Sequence, residues 1–95
     1  MKTRIVLDVA AKEGLHTYGI PPHMHNEIIA YINEGYPPGG FLNAVLENDL
    51  KMAGARADPT NAVALHNYVK WLFAFAPLTS WGHQGAVKEW MKTKR

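Results

Sequence analysis

The chain has 95 residues, of which 47% are hydrophobic and 19% charged, and its formal net charge is +2. That length is typical of a single domain, and the apolar content excludes a disordered chain. Because the sequence contains no cysteine, it excludes a disulfide framework, a thiolate metal site and a cysteine nucleophile. A domain of this size buries only a modest core, and association into a homo-oligomer would bury more apolar surface. We therefore expect a homo-oligomer.

The positive charge is concentrated at the C-terminus. Residues 88–95 carry four basic residues and one acidic residue, a net charge of +3, whereas residues 1–87 have a net charge of −1. This basic tail can make unspecific contacts with phosphates, but we expect no nucleic-acid binding beyond it, because no predicted helix has a basic face. The longest uncharged stretch is too polar to span a bilayer, and Asp8 interrupts the first apolar run too early for a signal peptide. We therefore predict a cytoplasmic protein with no membrane contact.

Residues 1–20 are ambiguous between a strand and a helix. Ile5, Leu7 and Val9 alternate as in a strand, whereas Ile5 and Val9 followed by Gly14 would suit a short helix that ends at Gly14. Because the rest of the chain offers no strand for pairing, we predict an N-terminal extended arm over residues 1–20, which could be exchanged with a second subunit.

Residues 21–95 form the predicted helical domain. The predicted fold class is all-α, a small bundle of about four helices with the extended arm. The helices are expected over about residues 22–33, 40–57 and 59–76, and after the turn at residues 78–82. Asp58 followed by Pro59 is the strongest local signal, because aspartate is a good N-cap and proline fits the first helical position.

The predicted third helix carries two apolar stripes. The first consists of Ala62, Leu65, Val69, Leu72, Phe73 and Ala76, and the second of Ala64, Tyr68, Trp71 and Phe75. Together they cover more than half of the circumference, so the helix is either central in the bundle or has one stripe free for a partner. Because aromatic side chains dominate interface hot spots, Tyr68, Trp71 and Phe75 are the candidate partner-binding residues, with burial in the core as the alternative.

The sequence shows no arrangement of catalytic or metal-binding residues. His23 and His25 lie two residues apart and so face different sides of a helix, and the other histidines lack the ligand spacing of a zinc site. No serine or threonine stands in a nucleophile-elbow sequence. We therefore predict a protein that is not an enzyme and that has no metal or other cofactor.

The turn before the second helix is a candidate anion site. The N–H groups of Gly39, Gly40 and Phe41 would point at whatever lies in front of the helix, a geometry that can hold a phosphate or a carboxylate. The turn lacks the lysine and the spacing of a Walker loop. A tight helix–helix connection is therefore the favoured interpretation, and the guest anion could be a carboxylate of the protein itself.

Asp49 is predicted to lie in the middle of the apolar stripe of the second helix, with Arg56 on nearly the same line. A carboxylate there must be paired or hydrogen-bonded, because an isolated buried charge is very costly. The favoured interpretation is structural: Asp49 caps another helix or pairs with Arg56. The alternative makes Asn48, Asp49 and Arg56 the floor of a ligand pocket.

Several motifs resemble one protein family. They are IPPHMH at residues 20–25, GYPPGGFLNAVLENDL at residues 35–50, ARAD at residues 55–58, and APLTSWG followed by VKEW at residues 76–90. The stretch from Ile20 to Met91, about three quarters of the chain, resembles a family of small proteins of tailed bacteriophages and prophages that has no established activity. That family often has a Cys before the Trp-Gly pair and a Ser after it, where this chain has Ser80 and His83, so no role of that Cys carries over. The resemblance implies a phage or prophage origin and action inside a bacterium.

The sequence favours three functions in order. The first is a non-enzymatic phage accessory protein of the host cytoplasm that binds a host or phage protein, forms a homodimer and modulates host machinery or defence. The second is binding of nucleotides or other phosphorylated small molecules at Gly39–Phe41, with Arg56 or Lys70. The third is weak nucleic-acid binding through the basic tail.

Overall fold

The computed structural model describes residues 7–94. The regular structure in that range is entirely helical, without a strand, which confirms the all-α class. The six α-helices of these residues are α1 (Val9–Thr17), α2 (His25–Ile29), α3 (Gly40–Leu46), α4 (Leu50–Arg56), α5 (Pro59–Phe75) and α6 (Ala86–Thr93). Short 3₁₀ turns cover Pro22–Met24 and Leu78–Ser80, and a π turn covers Ala30–Glu34. None of these helices is long and apolar enough to cross a membrane.

Helix α1 (Val9–Thr17) lies inside the segment predicted as the extended arm. The Asp8 carboxylate accepts the N–H of Ala11 at 3.0 Å and so caps α1, which then buries Ala11 and Leu15 in the core. The prediction of an arm is therefore wrong for this segment, because a local N-cap and burial against other helices favour a helix. Residues 1–6 of the predicted arm lie outside the described residues.

Gly14 lies inside α1 and does not end it. An ideal Cβ at Gly14 would lie 2.6 Å from Cε2 of Phe75, so the missing side chain lets α1 and α5 pack closely. The chain turns away just after the helix, at Gly19, whose φ of +77° glycine readily adopts. Trp71 of α5 completes the contact, since its Nε1–H donates to the carbonyl oxygen of Ala11 at 3.0 Å.

The predicted first helix is present but changes geometry along its length. The 3₁₀ turn, α2 and the π turn follow one another without a break, and Gly35 ends them with a φ of +75°. Trp90 of α6 reaches the π turn, where its Nε1–H donates to the carbonyl oxygens of Tyr31 and Ile32 at 3.1 and 3.2 Å. These bonds hold α6 against the end of this helical segment.

The predicted second helix is broken into α3 and α4. Asn48 has a φ of +63°, a left-handed conformation that asparagine tolerates better than most residues, and Asp49 caps α4 by accepting the N–H of Met52 at 3.2 Å. Just before the break, the Glu47 carboxylate accepts two backbone N–H groups near the start of α6, at 2.6 and 2.9 Å. The prediction of a buried Asp49 in an apolar stripe is wrong, because the change of backbone direction leaves its side chain exposed.

Helix α5 begins as predicted, and it buries Ala64, Tyr68, Trp71 and Leu72 in the core. The Asp58 carboxylate accepts the N–H of Asn61 at 2.7 Å, and Pro59 occupies the first helical position. All six α-helices contribute side chains to the core. Its largest fully buried side chains include Leu7, Leu15, Tyr31, Ile32, Leu42, Leu46, Tyr68 and Trp71.

Candidate functional site

The aromatic side chains predicted to bind a partner face the core. Tyr68 and Trp71 are each 1% exposed, and the Tyr68 hydroxyl donates a hydrogen bond to Oδ1 of buried Asn61. Phe75 is half-buried beside Tyr18, with ring centroids 6.0 Å apart. The prediction of a recognition stripe is therefore wrong for Tyr68 and Trp71. An aromatic side chain with a polar tip can be buried when that tip finds a hydrogen-bond partner, and both tips do so here.

Solvent reaches the other apolar stripe of α5. Phe73 is 71% exposed, Val69 is also exposed, and Leu65 is half-buried. Leu50 at the start of α4 and Leu78 just after α5 are 72% and 76% exposed. The second stripe thus lies mostly in the core, whereas the first is divided: Leu72 and Ala76 are buried, and Ala62, Val69 and Phe73 are exposed.

These exposed side chains surround a groove between α5 and the junction of α3 with α4. Its wider part has a volume of about 380 Å³, and a hollow of about 70 Å³ continues it towards α4. The two parts share Val45, Asn48 and Val69. We call this surface the α5 groove; its main lining residues are Val45, Asn48, Leu50, Leu65, Val69, Phe73, Leu78 and Trp81.

Trp81 supports one side of the α5 groove. Its ring packs edge-on against the Phe73 ring, with centroids 5.1 Å apart, so Phe73 has a packed neighbour despite its exposure. The Nε1–H of Trp81 is buried and meets no acceptor within residues 7–94. Since a buried donor without a partner typically costs about 1–3 kcal/mol, the polar tip of Trp81 is poorly satisfied in the isolated chain.

A polar cavity of about 600 Å³ adjoins the α3–α4 junction. It brings together three predicted ligand residues, Asn48, Asp49 and Arg56, with Asn43, Glu47 and Gln84. Asp49 caps α4, and Nη1 of Arg56 donates to the carbonyl oxygen of Gly40 at 3.3 Å. With two carboxylates and one guanidinium on its walls, the cavity is a poorer site for a phosphate than the predicted residues alone suggested.

The predicted anion site at Gly39–Phe41 is occupied by the protein itself. The Gly39 N–H donates to Oε2 of Glu27 at 2.6 Å, so a carboxylate of α2 lies in front of α3. Phe41 is buried, with its ring edge-on to Tyr68. Lys70 lies on the exposed side of α5 and does not line the cavity in front of α3. This geometry supports the interpretation of a tight helix–helix connection.

An exposed pair joins His23 to the start of α5. His23 Nε2 lies 3.2 Å from Oδ2 of Asp58. The pKa of Asp58 lies below its ordinary value, mainly because the Asn61 N–H donates to the carboxylate, with His23 adding to the effect. Sequence reasoning missed this pair because its members are 35 residues apart. Within residues 7–94, no group of three or more His, Asp or Glu side chains could hold a metal ion.

Comparisons with known proteins assign neither a family nor a function to the chain. The chain matches no protein-family model, no curated protein and no solved structure. The resemblance to phage and prophage proteins therefore stays a prediction. A functional conclusion depends on the geometry of the α5 groove and of the polar cavity.

Proposed function

We propose that the protein is a small non-enzymatic accessory protein that acts by binding protein through the α5 groove. The observation that carries this proposal is the position of Leu50, Phe73 and Leu78, all largely exposed, around one apolar groove. Large apolar and aromatic side chains form the buried centre of protein interfaces. A partner that covered these three residues would remove their apolar surface from water, which favours binding.

Exposed apolar side chains are ordinary when they are scattered over a surface. Val9, Tyr36 and Val63 are of this kind, since they are exposed but none of them lines the α5 groove. The side chains of the groove differ because Phe73 and Leu78 line one hollow and Leu50 lines a second one, and the two hollows share Val45, Asn48 and Val69. A contiguous apolar patch of this sort is typical of an interaction surface.

The lining of the α5 groove suits a protein surface better than a small molecule. Its polar side chains are few, with Asn48 and Asp49 at the edge formed by the α3–α4 junction. Small-molecule sites are concave enough to bury most of the ligand's surface, whereas this groove is bordered by Leu50, Phe73 and Leu78, which are all largely exposed. An interface, in contrast, has a centre depleted of charge and a polar rim, and this is the arrangement around Phe73.

The biological setting that we propose rests on the resemblance to phage and prophage proteins. The motifs at residues 35–50 and 76–90 support it. In that setting the protein acts in the host cytoplasm, where it binds a host or phage protein and modulates host machinery or defence.

Photo-crosslinking in bacterial cells tests the proposed function. A photoreactive phenylalanine analogue is placed at Phe73 and, as a matched control, at Val63, which is 84% exposed on another face of the same helix. We expect a crosslinked protein adduct from position 73 and none from position 63. Equal adducts from both positions, or none from position 73, would contradict binding through the α5 groove.

A second candidate function is binding of a phosphorylated small molecule. It is favoured by the polar cavity, in which Asn48, Asp49 and Arg56 lie together, and it ranks below the first because the Glu47 and Asp49 carboxylates oppose an anionic ligand. A ligand that binds the folded state raises the thermal midpoint. A shift with nucleotides that disappears in Arg56→Gln would support this candidate, whereas an unchanged midpoint at saturating nucleotide would exclude it.

A further inference from the structure

The α5 groove has a protruding part and a concave part on the same surface. Phe73 and Leu78 stand out into solvent, and the hollow of about 380 Å³ lies beside them, against Val45. A two-fold interface needs this combination, because the same patch on each copy must supply both the inserted side chain and the pocket that receives it. We infer that the occupant of the α5 groove is the α5 groove of a second copy of this chain, an inference that rests on the proposed protein-binding function.

The two edges of the α5 groove carry opposite charges. The edge at the α3–α4 junction carries Asp49, whose side chain is exposed. On the other edge, Lys70 is exposed and follows Val69 and Phe73 around α5 when the helix is viewed at about 100° per residue. A second copy can therefore place its basic edge over the acidic edge of the first, while the apolar centres of both grooves meet.

These edge charges select the direction of the two-fold axis. A rotation about an axis that runs along α5 exchanges the two edges, so Lys70 of each copy faces Asp49 of the other. A rotation about an axis that runs across α5 would instead bring the Asp49 edges of the two copies together, and likewise the two Lys70 edges. Like charges that meet at an interface disfavour association. In the proposed dimer the two α5 helices therefore run parallel.

The mass of the purified full-length chain in solution tests this inference. Light scattering after size-exclusion chromatography should give about twice 10.6 kDa for the unmodified chain and for the control Val9→Glu, whose position on α1 is 70% exposed and does not line the α5 groove. Phe73→Glu and Leu78→Glu should each raise the dissociation constant roughly 30-fold or more, as changes at the centre of an interface do. Far-UV circular dichroism verifies that each variant is folded, and two independent variants keep the test valid if one of them fails to fold.

The cysteine-free sequence allows a direct test of the orientation. Gly54→Cys lies one turn beyond Leu50 on α4, where a new Cβ meets nothing within 4 Å, and Ala74→Cys lies one turn beyond Lys70 on α5, where it is exposed. Both variants keep Leu50, Asp49 and Lys70. When they are mixed and treated with a bis-maleimide, we expect crosslinks between unlike chains. Efficient crosslinking of Ala74→Cys chains to one another would overturn the parallel arrangement.

Failure of the inference and failure of the proposed function give different results. A chain that stays monomeric at every concentration would overturn the second copy as occupant, and photo-crosslinks from Phe73 to a different protein would then leave the proposed function standing. A dimer that persists in folded Phe73→Glu and Leu78→Glu would also overturn the inference, since its interface would lie elsewhere. The absence of any crosslink from position 73 would contradict both.

Discussion

Gly14 of α1 and Phe75 of α5 lie so close together that no side chain fits between them: an ideal Cβ on Gly14 would lie 2.6 Å from Cε2 of Phe75. Trp71 makes a second link between the same two helices by donating its Nε1–H to the carbonyl oxygen of Ala11 at 3.0 Å. The N-terminal helix is therefore an integral part of the core, and changes at this contact should affect the stability of the whole chain.

We expect Gly14→Ala to destabilise the protein, although alanine is the better helix former by about 1 kcal/mol. The new methyl group must displace the Phe75 ring, and overpacking of this kind costs about 1–3 kcal/mol. Urea denaturation followed by circular dichroism measures the free energy of unfolding. The matched control is Gly54→Ala in α4, where nothing lies within 4 Å of the new methyl group and a gain of up to about 1 kcal/mol is expected. An equal gain at the two positions would contradict the close approach of α1 and α5.

The left-handed backbone at Asn48 gives a second prediction. Asn48→Ala should lower the free energy of unfolding by about 1 kcal/mol, because a left-handed conformation costs residues with an ordinary Cβ about 1–2 kcal/mol. Asn48→Gly should be neutral or slightly stabilising, since glycine adopts a φ of +63° without strain. Thermal or urea unfolding compares the two variants. If alanine were as well tolerated as glycine, the helix break could not lie at this residue.

Asp58 should make the stability depend on pH in the acid range. Its folded-state pKa is lowered, chiefly by the Asn61 N–H and also by His23. Its contribution to stability is therefore complete above the ordinary value of 3.8 and is lost as the pH falls through the lower folded-state pKa. Asp58→Asn retains an N-cap but cannot titrate, so its thermal midpoint should fall less than that of the unmodified chain on acidification. Parallel midpoint curves for the two proteins would refute this role.

Two buried tyrosines should make the fold sensitive to alkali. Burial raises the pKa of Tyr31 and of Tyr68 above the ordinary value of 10.0. The stability that depends on their protonated forms is complete below pH 10 and is lost as the pH rises towards the folded-state values. Part of the tyrosinate absorbance should therefore appear only together with the loss of helical circular dichroism. A complete tyrosinate signal in the still-folded protein would show that these hydroxyl groups are accessible.

The start of α5 could be predicted because its signals are local. Asp58 and Pro59 are neighbours in the sequence, and each favours its position through its own side chain. The break between α3 and α4 could not be predicted in the same way. The apolar periodicity of residues 40–57 indicates one helix, whereas Glu47 binds the N–H groups of Gly85 and Val87, which are 38 and 40 residues later.

The candidate site shows the same limit of sequence patterns. Periodicity identified two adjacent stripes on α5, but it does not say which of them faces the core. That choice depends on remote partners such as Ala11, whose carbonyl oxygen accepts the bond from Trp71. One sequence signal did point to the exposure of Phe73, because on a helical wheel this residue borders the polar residues His66 and Lys70.

The basic C-terminus is also a structural element. The Nε1–H of Trp90 donates hydrogen bonds to two carbonyl groups of the π turn. Lys94 packs closely on Gly35, since an ideal Cβ built on Gly35 would lie 2.5 Å from the Cβ of Lys94. The Lys94 ammonium group also lies 5.1 Å from the centroid of the Trp90 ring. Deletion of residues 88–95 would therefore release the end of the α2 segment along with the positive charge. Electrostatic attraction to a polyanion can be separated from folding by neutralising exposed Lys88 and Lys92 while α6 stays in place.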